Sequence, residues 1–159
     1  MIASFIQIAL GVGVAYLVSF GCKASNLFKS VYFFPSLINS VAIGFIFIFF
    51  LQPGSTLDTV LSFLHLDGLI NYWLQDPKFI NVSMAGVSVW RYVGYNIVMF
   101  AAAMASISPD ILEAARVDGA SRWQQLRHII IPGISTILGL QLFLALTGAL
   151  SAFETPYIM

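Results

Sequence analysis

Residues 106–132 read Ser106-Ile107-Ser108-Pro109-Asp110-Ile111-Leu112-Glu113-Ala114-Ala115-Arg116-Val117-Asp118-Gly119-Ala120-Ser121-Arg122-Trp123-Gln124-Gln125-Leu126-Arg127-His128-Ile129-Ile130-Ile131-Pro132. This stretch decides the fold, because it is a polar, well-punctuated interruption between two long apolar runs. Ser108 is placed to cap a helix whose first residue is Pro109, with Asp110 and Glu113 near the positive end of its dipole. Gly119 suits the left-handed residue that ends such a helix. Two residues later, Ser121 and Gln124 have capping-box spacing, so a second helix is expected to begin at once. It would carry Trp123, Leu126 and Ile130 on one side and run to Pro132, whose missing backbone donor kinks it or begins the next element. The expected product is two short helices joined by a glycine elbow, with Ile111, Leu112, Val117 and Trp123 as the apolar surface of a projecting knob. By geometry alone, the knob is either a docking surface or a hairpin packed on its own bundle.

Outward from this loop, the chain is expected to live in a bilayer. A membrane-crossing helix needs roughly 20 mainly apolar residues, and residues 2–20, 31–51, 82–105 and 129–153 meet that need, with Arg91 the one charged residue among them before Glu154. The 159 residues are 59% hydrophobic and 9% charged, against about 25% charged in an ordinary soluble domain. Mean hydropathy is +0.91. The fold class expected is therefore all-α, a polytopic transmembrane bundle of about four spans forming a single domain, with residues 106–131 as its helix-elbow-helix loop. Seven acidic residues balance seven basic ones, so no nucleic-acid partner is indicated. The single cysteine, Cys22, cannot close an internal disulfide.

The basic residues orient the bundle. Lys23, Lys29, Arg116, Arg122 and Arg127 fall in the two loops on one side, and Lys78 alone among bases falls in the opposite loop beside Asp58, Asp67 and Asp76. Positive charge marks the cytoplasmic side, so the 106–131 loop is expected to be cytoplasmic and both chain ends outside. Residues 2–20 lack the basic lead of a signal peptide, and a longer chain with flanking helices is expected. In the outer loop, Leu57, Val60, Leu61 and Leu64 have one-face helical spacing, which suggests a short surface helix, followed by Tyr72 and Trp73 at the interfacial belt.

The run Glu113-Ala114-Ala115, three residues, Gly119, nine residues, then Ile129-Ile130-Ile131-Pro132 resembles the EAA loop of binding-protein-dependent ABC transporter permeases. One departure is Ile131, where the family usually has Leu, an apolar exchange of similar volume. Further pieces look like the carbohydrate-uptake, maltose-type members. They are Val31-Tyr32-Phe33-Phe34-Pro35 as a proline-bearing helix start, Trp73-Leu74-Gln75-Asp76-Pro77 as the outer loop, and Val89 to Gly94 with Ala103 to Ser108 as the helix leading into the EAA loop. Ser108 replaces a common proline, and Ser151 to Glu154 fall where members vary with substrate.

The resemblance implies a multi-pass inner-membrane (plasma-membrane) permease of a bacterial or archaeal ATP-driven importer for a sugar or related small solute. Its implied partners are a cytoplasmic ABC ATPase, a second permease subunit and an extracytoplasmic solute-binding protein. Glu113, Ala114, Ala115 and Gly119 would form the ATPase contact, supported by Arg116, Asp118 and Trp123, with Pro132 closing the motif. ATP would be used by the partner, this chain carrying no phosphate-loop motif, no metal-binding His pair and no catalytic serine elbow, and binding no cofactor itself. The contrasting reading is a small non-transport scaffold or channel.

For the solute path the residues leave alternatives open. Arg91, roughly 13 Å into its span at helical rise, either lines the path, snorkels outward or pairs with Glu154. Tyr95, Asn96 and Gln141 either hydrogen-bond solute hydroxyls or tie helices together. His65 and His128 read as a loop residue and a helix-end residue.

Overall fold

The computed structural model describes residues 2–21, 25–66, 68 and 73–151. In order, the helices are α1 (Ile2–Gly21), α2 (Ser25–Leu37), α3 (Ser40–Leu51), α4 (Thr56–Phe63), α5 (Ile80–Ala105), α6 (Pro109–Val117), α7 (Arg122–Gln125), a π-helical turn (Leu126–Ile130), α8 (Ile131–Gly133) and α9 (Ser135–Ser151). All the regular structure among the described residues is helical, as composition demands of a chain whose backbone must satisfy itself in lipid.

Helices α1 and α5 run side by side in the same direction. Gly11 of α1 stands against Asn96 and Phe100 of α5, and Ser19 and Phe20 share a cavity wall with Met104 and Ala105 one helical stretch further on. α9 returns antiparallel to α1, bringing the Ser4 hydroxyl to the Ala145 carbonyl at 3.5 Å. The core gathers where α5 ends. Ala15, Ile97, Phe100, Ala101 and Met104 close on Leu112 of α6 and on Ile130 and Ile134 beyond the elbow. Large apolar residues elsewhere, Leu17, Phe49 and Phe143 among them, are exposed. In a bilayer such residues face a solvent as apolar as themselves, so packing and hydrogen bonds, rather than burial, hold the helices together.

Residues 2–20 and 82–105 each lie within one helix, whereas the other two expected spans are bent. Ala3–Phe20 is one helix long and apolar enough to cross a membrane, and the remaining candidates are pairs of helices that meet at 100°, 73° and 68°. Residues 31–51, expected as one span, are the second half of α2 and all of α3, meeting at 100°. The Val31 to Pro35 run is therefore not a helix start. Pro35 lies inside α2, close to its end at Leu37, and the Asn39 side chain begins a new helix by accepting from the Val41 N–H at 2.8 Å. The 129–153 run is likewise interrupted. Ile134 lies between α8 and α9 with φ −99°, and the helices on either side of it differ in direction by 68°.

In the opposite loop, α4 forms where the Leu57-Val60-Leu61 spacing places it. Asp58 reaches back and accepts from the Gly54 N–H at 2.7 Å, tying the Gln52 to Ser55 turn to the helix. Trp73 packs edge-on against Phe79 at 5.7 Å, and its carbonyl accepts from Ser83 at 3.0 Å. Tyr72, Asp67, Cys22 and Lys23 lie outside the described residues.

Candidate functional site

The elbow is built from local chemistry at both of its ends. α6 begins with the Ser108 hydroxyl accepting from the Asp110 N–H at 3.3 Å and with Pro109 in the first turn. It ends in a Schellman motif. The Ala120 N–H donates to the Ala115 carbonyl at 2.9 Å and the Gly119 N–H to the Arg116 carbonyl at 3.0 Å, while Gly119 takes φ +81°. The two otherwise orphaned carbonyls thus belong to the Glu113-Ala114-Ala115-Arg116 run itself. A left-handed residue with a Cβ costs about 1–2 kcal/mol, so glycine is the residue this geometry asks for.

The second helix starts with a complete capping box. The Ser121 N–H donates to the Gln124 side-chain oxygen at 2.7 Å, and the Gln124 N–H donates to the Ser121 hydroxyl at 3.3 Å. Ser121→Ala should weaken this start by about 1 kcal/mol. Amide exchange at Gln124 in detergent-solubilised protein should then rise roughly fivefold, whereas an unchanged rate would show that tertiary packing alone holds the turn.

Gln125, which sequence reasoning passed over, braces the elbow from inside. It is buried, and its amide nitrogen donates to the Ala120 carbonyl at 3.0 Å. Its only sequence signal was a polar residue between Trp123 and Leu126, immediately after a capping box. Beyond it the helix widens into the π turn, where the Ile131 N–H donates five residues back to the Leu126 carbonyl. Pro132 follows, exposed, with no N–H to contribute to the ladder.

Burial divides the elbow into two faces. Leu112, expected on the knob surface, is instead locked into the bundle core at 7% exposure, whereas Val117 (87%), Trp123 (66%) and Ile111 (53%) are open. Trp123 therefore does not share a face with Ile130, which is 1% exposed; the intervening π turn and the requirement to pack against α5 turn them apart. Glu113, Ala114, Arg116, Asp118 and Gly119 are exposed, and Ala115 is half-buried. Two hollows of about 310 Å³ each flank the elbow. One lies inside the bend, between Asp118 to Ala120 and Gln124 to Ile129, and the other lies between α6 and the ends of α1 and α5. The result is a projection with small residues, charges of both signs and exposed apolar side chains on its outer face.

The residues proposed for a solute path do not converge on either hollow. Arg91 donates from Nη1 to the Ser40 hydroxyl at 2.8 Å and from Nη2 to the Ile38 carbonyl at 3.2 Å. It also stands over the Tyr92 ring at 5.1 Å. Tyr95 packs near Phe33 of α2, ring centroids 6.4 Å apart. Asn96 is buried against Gly11 of α1. Gln141 of α9 and Gln7 of α1 are buried, each with one amide atom lacking a partner. Glu154 lies outside the described residues. Among the described residues, no three His, Cys, Asp or Glu side chains gather where a metal ion would sit.

Against known families, residues 7–158 match the family described as binding-protein-dependent transport system inner membrane component. The chain belongs to that family. Among relatives of this inner membrane component, the probable ABC transporter permease protein YurN of Bacillus subtilis is 34% identical over 86% of this chain and 47% of its own length. The probable starch degradation products transport system permease protein AmyD of Thermoanaerobacterium thermosulfurigenes is 29% identical over 91% and 49%. The arabinooligosaccharides transport system permease protein AraP of B. subtilis is 29% identical over 86% and 44%. The chain thus spans about half the length of the curated relatives it matches. In fold it is similar to a chain of a bacterial ABC transporter involved in import of the acidic polysaccharide alginate, with a TM-score of 0.80 and 22% identity over 98% of this chain and 61% of that one.

Proposed function

We propose that this chain is a transmembrane permease subunit of an ATP-driven importer for a sugar or related small solute, and that its elbow is the handle gripped by a separate cytoplasmic ABC ATPase. The observation that carries the reading is the two-faced elbow: Leu112 anchors it in the bundle core while Ile111, Val117 and Trp123 stay uncovered beside Glu113, Ala114 and Gly119. A hairpin serving only its own bundle has reason to bury those three apolar residues outside the membrane, since the scaffold reading offers them no cover.

Ala114 and Ala115 allow a close backbone approach, and Glu113 with Arg116 and Asp118 supplies a charged rim. ATP binding and hydrolysis belong to the partner; closure of its subunits moves the docked elbows as rigid levers, and the bundle alternates between inward and outward openings. A second permease subunit completes the path and a solute-binding protein delivers the cargo. Support for the cargo class comes from relatives named for starch degradation products and arabinooligosaccharides. Support for the delivery protein comes from a similar fold, at 23% identity, in an alginate transporter in complex with a pentasaccharide-bound periplasmic protein.

Co-purification from membranes tests the assignment. Glu113→Lys and Gly119→Trp, in the full-length permease expressed with its ATPase, should each lower recovered ATPase at least about tenfold, the effect of roughly 1.4 kcal/mol at the contact, with membrane insertion unchanged. Full recovery in both variants sinks the handle and leaves the scaffold reading.

A further inference from the structure

Arg91 is the one charged residue within α5, and ionisable groups at membrane depth are costly. What it contacts is the break between α2 and α3. One guanidinium nitrogen bonds the Ile38 carbonyl, just past the end of α2, and the other bonds the Ser40 hydroxyl, at the first residue of α3. The two bonds straddle the 100° bend. Asn39 caps α3 on its own, so the local sequence completes the start of α3, and Arg91 is recruited from α5 to finish the end of α2. A planar fork reaches two acceptors at once where a lysine reaches them singly.

The two helices at this bend are held unequally. α2 is seated directly on α5 at Gly94, where the Tyr32 carbonyl leaves no room for a side chain. α3 buries Ile43 and Gly44, is followed by α4, and meets α5 through an edge contact of Phe47 on Trp90 at 5.2 Å, next to Arg91. Its Phe45, Ile46 and Phe49 are exposed. At its other end α5 continues through a 73° bend into α6.

We propose that Arg91 is a positioning residue of the transport cycle: it fixes the α3–α4 arm to α5, so that displacement arriving at α6 is carried along α5 from Ala105 back to Arg91 and so to the arm. This deepens the importer reading and rests on it. Without the fork, the arm keeps its covalent link and its aromatic contact but loses a defined angle, and movement of α5 no longer sets its position.

The test places spin labels at Phe49 of α3 and Val82 of α5, both exposed, in a Cys22→Ser background of the full-length permease with its partners. Pulsed EPR should give one narrow distance distribution with Arg91, at rest and with the ATPase trapped closed. Arg91→Met should raise the population outside that peak roughly tenfold, the scale of one charge-assisted hydrogen bond. Ser40→Ala, which leaves the charge in place, should broaden it less and serves if Arg91→Met fails to accumulate. Uptake in proteoliposomes should fall in the same order while the ATPase still co-purifies, which separates this proposal from the handle itself. Distributions unchanged from the parent in both variants, or in Ser40→Ala alone where Arg91→Met is not recovered, overturn it.

Discussion

Gly94→Ala should unseat α2 from α5 and lower the thermal midpoint of the detergent-solubilised protein by roughly 10 °C, the shift that about 3 kcal/mol produces in a domain of this size. The added Cβ would overlap the carbonyl oxygen of Tyr32 and crowd the next peptide. Overpacking costs about 1–3 kcal/mol when neighbouring side chains can rotate aside. Here the obstacle is backbone, so relief requires moving α2 as a whole, with Phe33 leaving Tyr95 and the Arg91 bonds stretching. The upper end of that range is therefore expected. Gly86→Ala, in the same helix but with open space around its Cβ position, provides the control. Midpoints that match between the two variants, measured by size-exclusion recovery after heating, would rule out the close approach.

Leu112→Ala should separate ATP hydrolysis from uptake. Leu112 is the residue by which α6 enters the core, beside Met104, Ile130 and Ile134, and truncating a buried leucine costs about 2–5 kcal/mol where the cavity cannot collapse. The neighbouring hollow beneath α6 makes collapse harder. The outer face of α6 is untouched by the change, so the ATPase should still bind and hydrolyse ATP. A lever with a loose root transmits little, and solute uptake per ATP in proteoliposomes should drop about tenfold or more. Ile111→Ala, one residue away on the exposed face, should show the reverse pattern, with weaker ATPase recovery and normal stoichiometry among complexes that form. Unchanged uptake per ATP in Leu112→Ala would mean that α6 is held to the bundle by something other than this side chain.

The parts of the site that could be read from sequence are those whose chemistry is complete within three or four residues. Ser108 with Pro109, Gly119 in its left-handed turn, and Ser121 with Gln124 all form the caps their spacing announces, because each orphaned backbone group finds its partner a turn away. What escaped depends on partners distant in the chain. Pro35 and Asn39 signal a break within residues 31–51, but not its 100° angle, since the groups that complete the bend come from Arg91, 51 and 53 positions beyond its acceptors. Pro35 was a visible signal read in the wrong sense. It marks the approaching end of a helix that began ten residues earlier, a proline effect that sequence alone leaves direction-blind.

Similarly, the apolar residues of the elbow were legible as a set but not as two faces. Leu112 and Val117 are both apolar and both on α6; their opposite fates are decided by the position of α5. The role of Gln125 was not legible from its position alone, because a buried glutamine needs an acceptor, and the Ala120 carbonyl becomes one only after the elbow has bent.

The π-helical turn at Leu126–Ile130 has a consequence for the second arm of the elbow. Such a turn accommodates one residue more than an α-helical turn does, and each residue of a helix swings the next side chain by about 100°. The surplus residue therefore turns the side chains after it away from the face they would occupy on an unbroken α-helix, which is how Ile130 is buried while Trp123, seven residues earlier, stays exposed. The bearing of the elbow's second arm is thus dialled seven to eleven residues after the glycine bend, by a slack loop in the hydrogen-bond ladder.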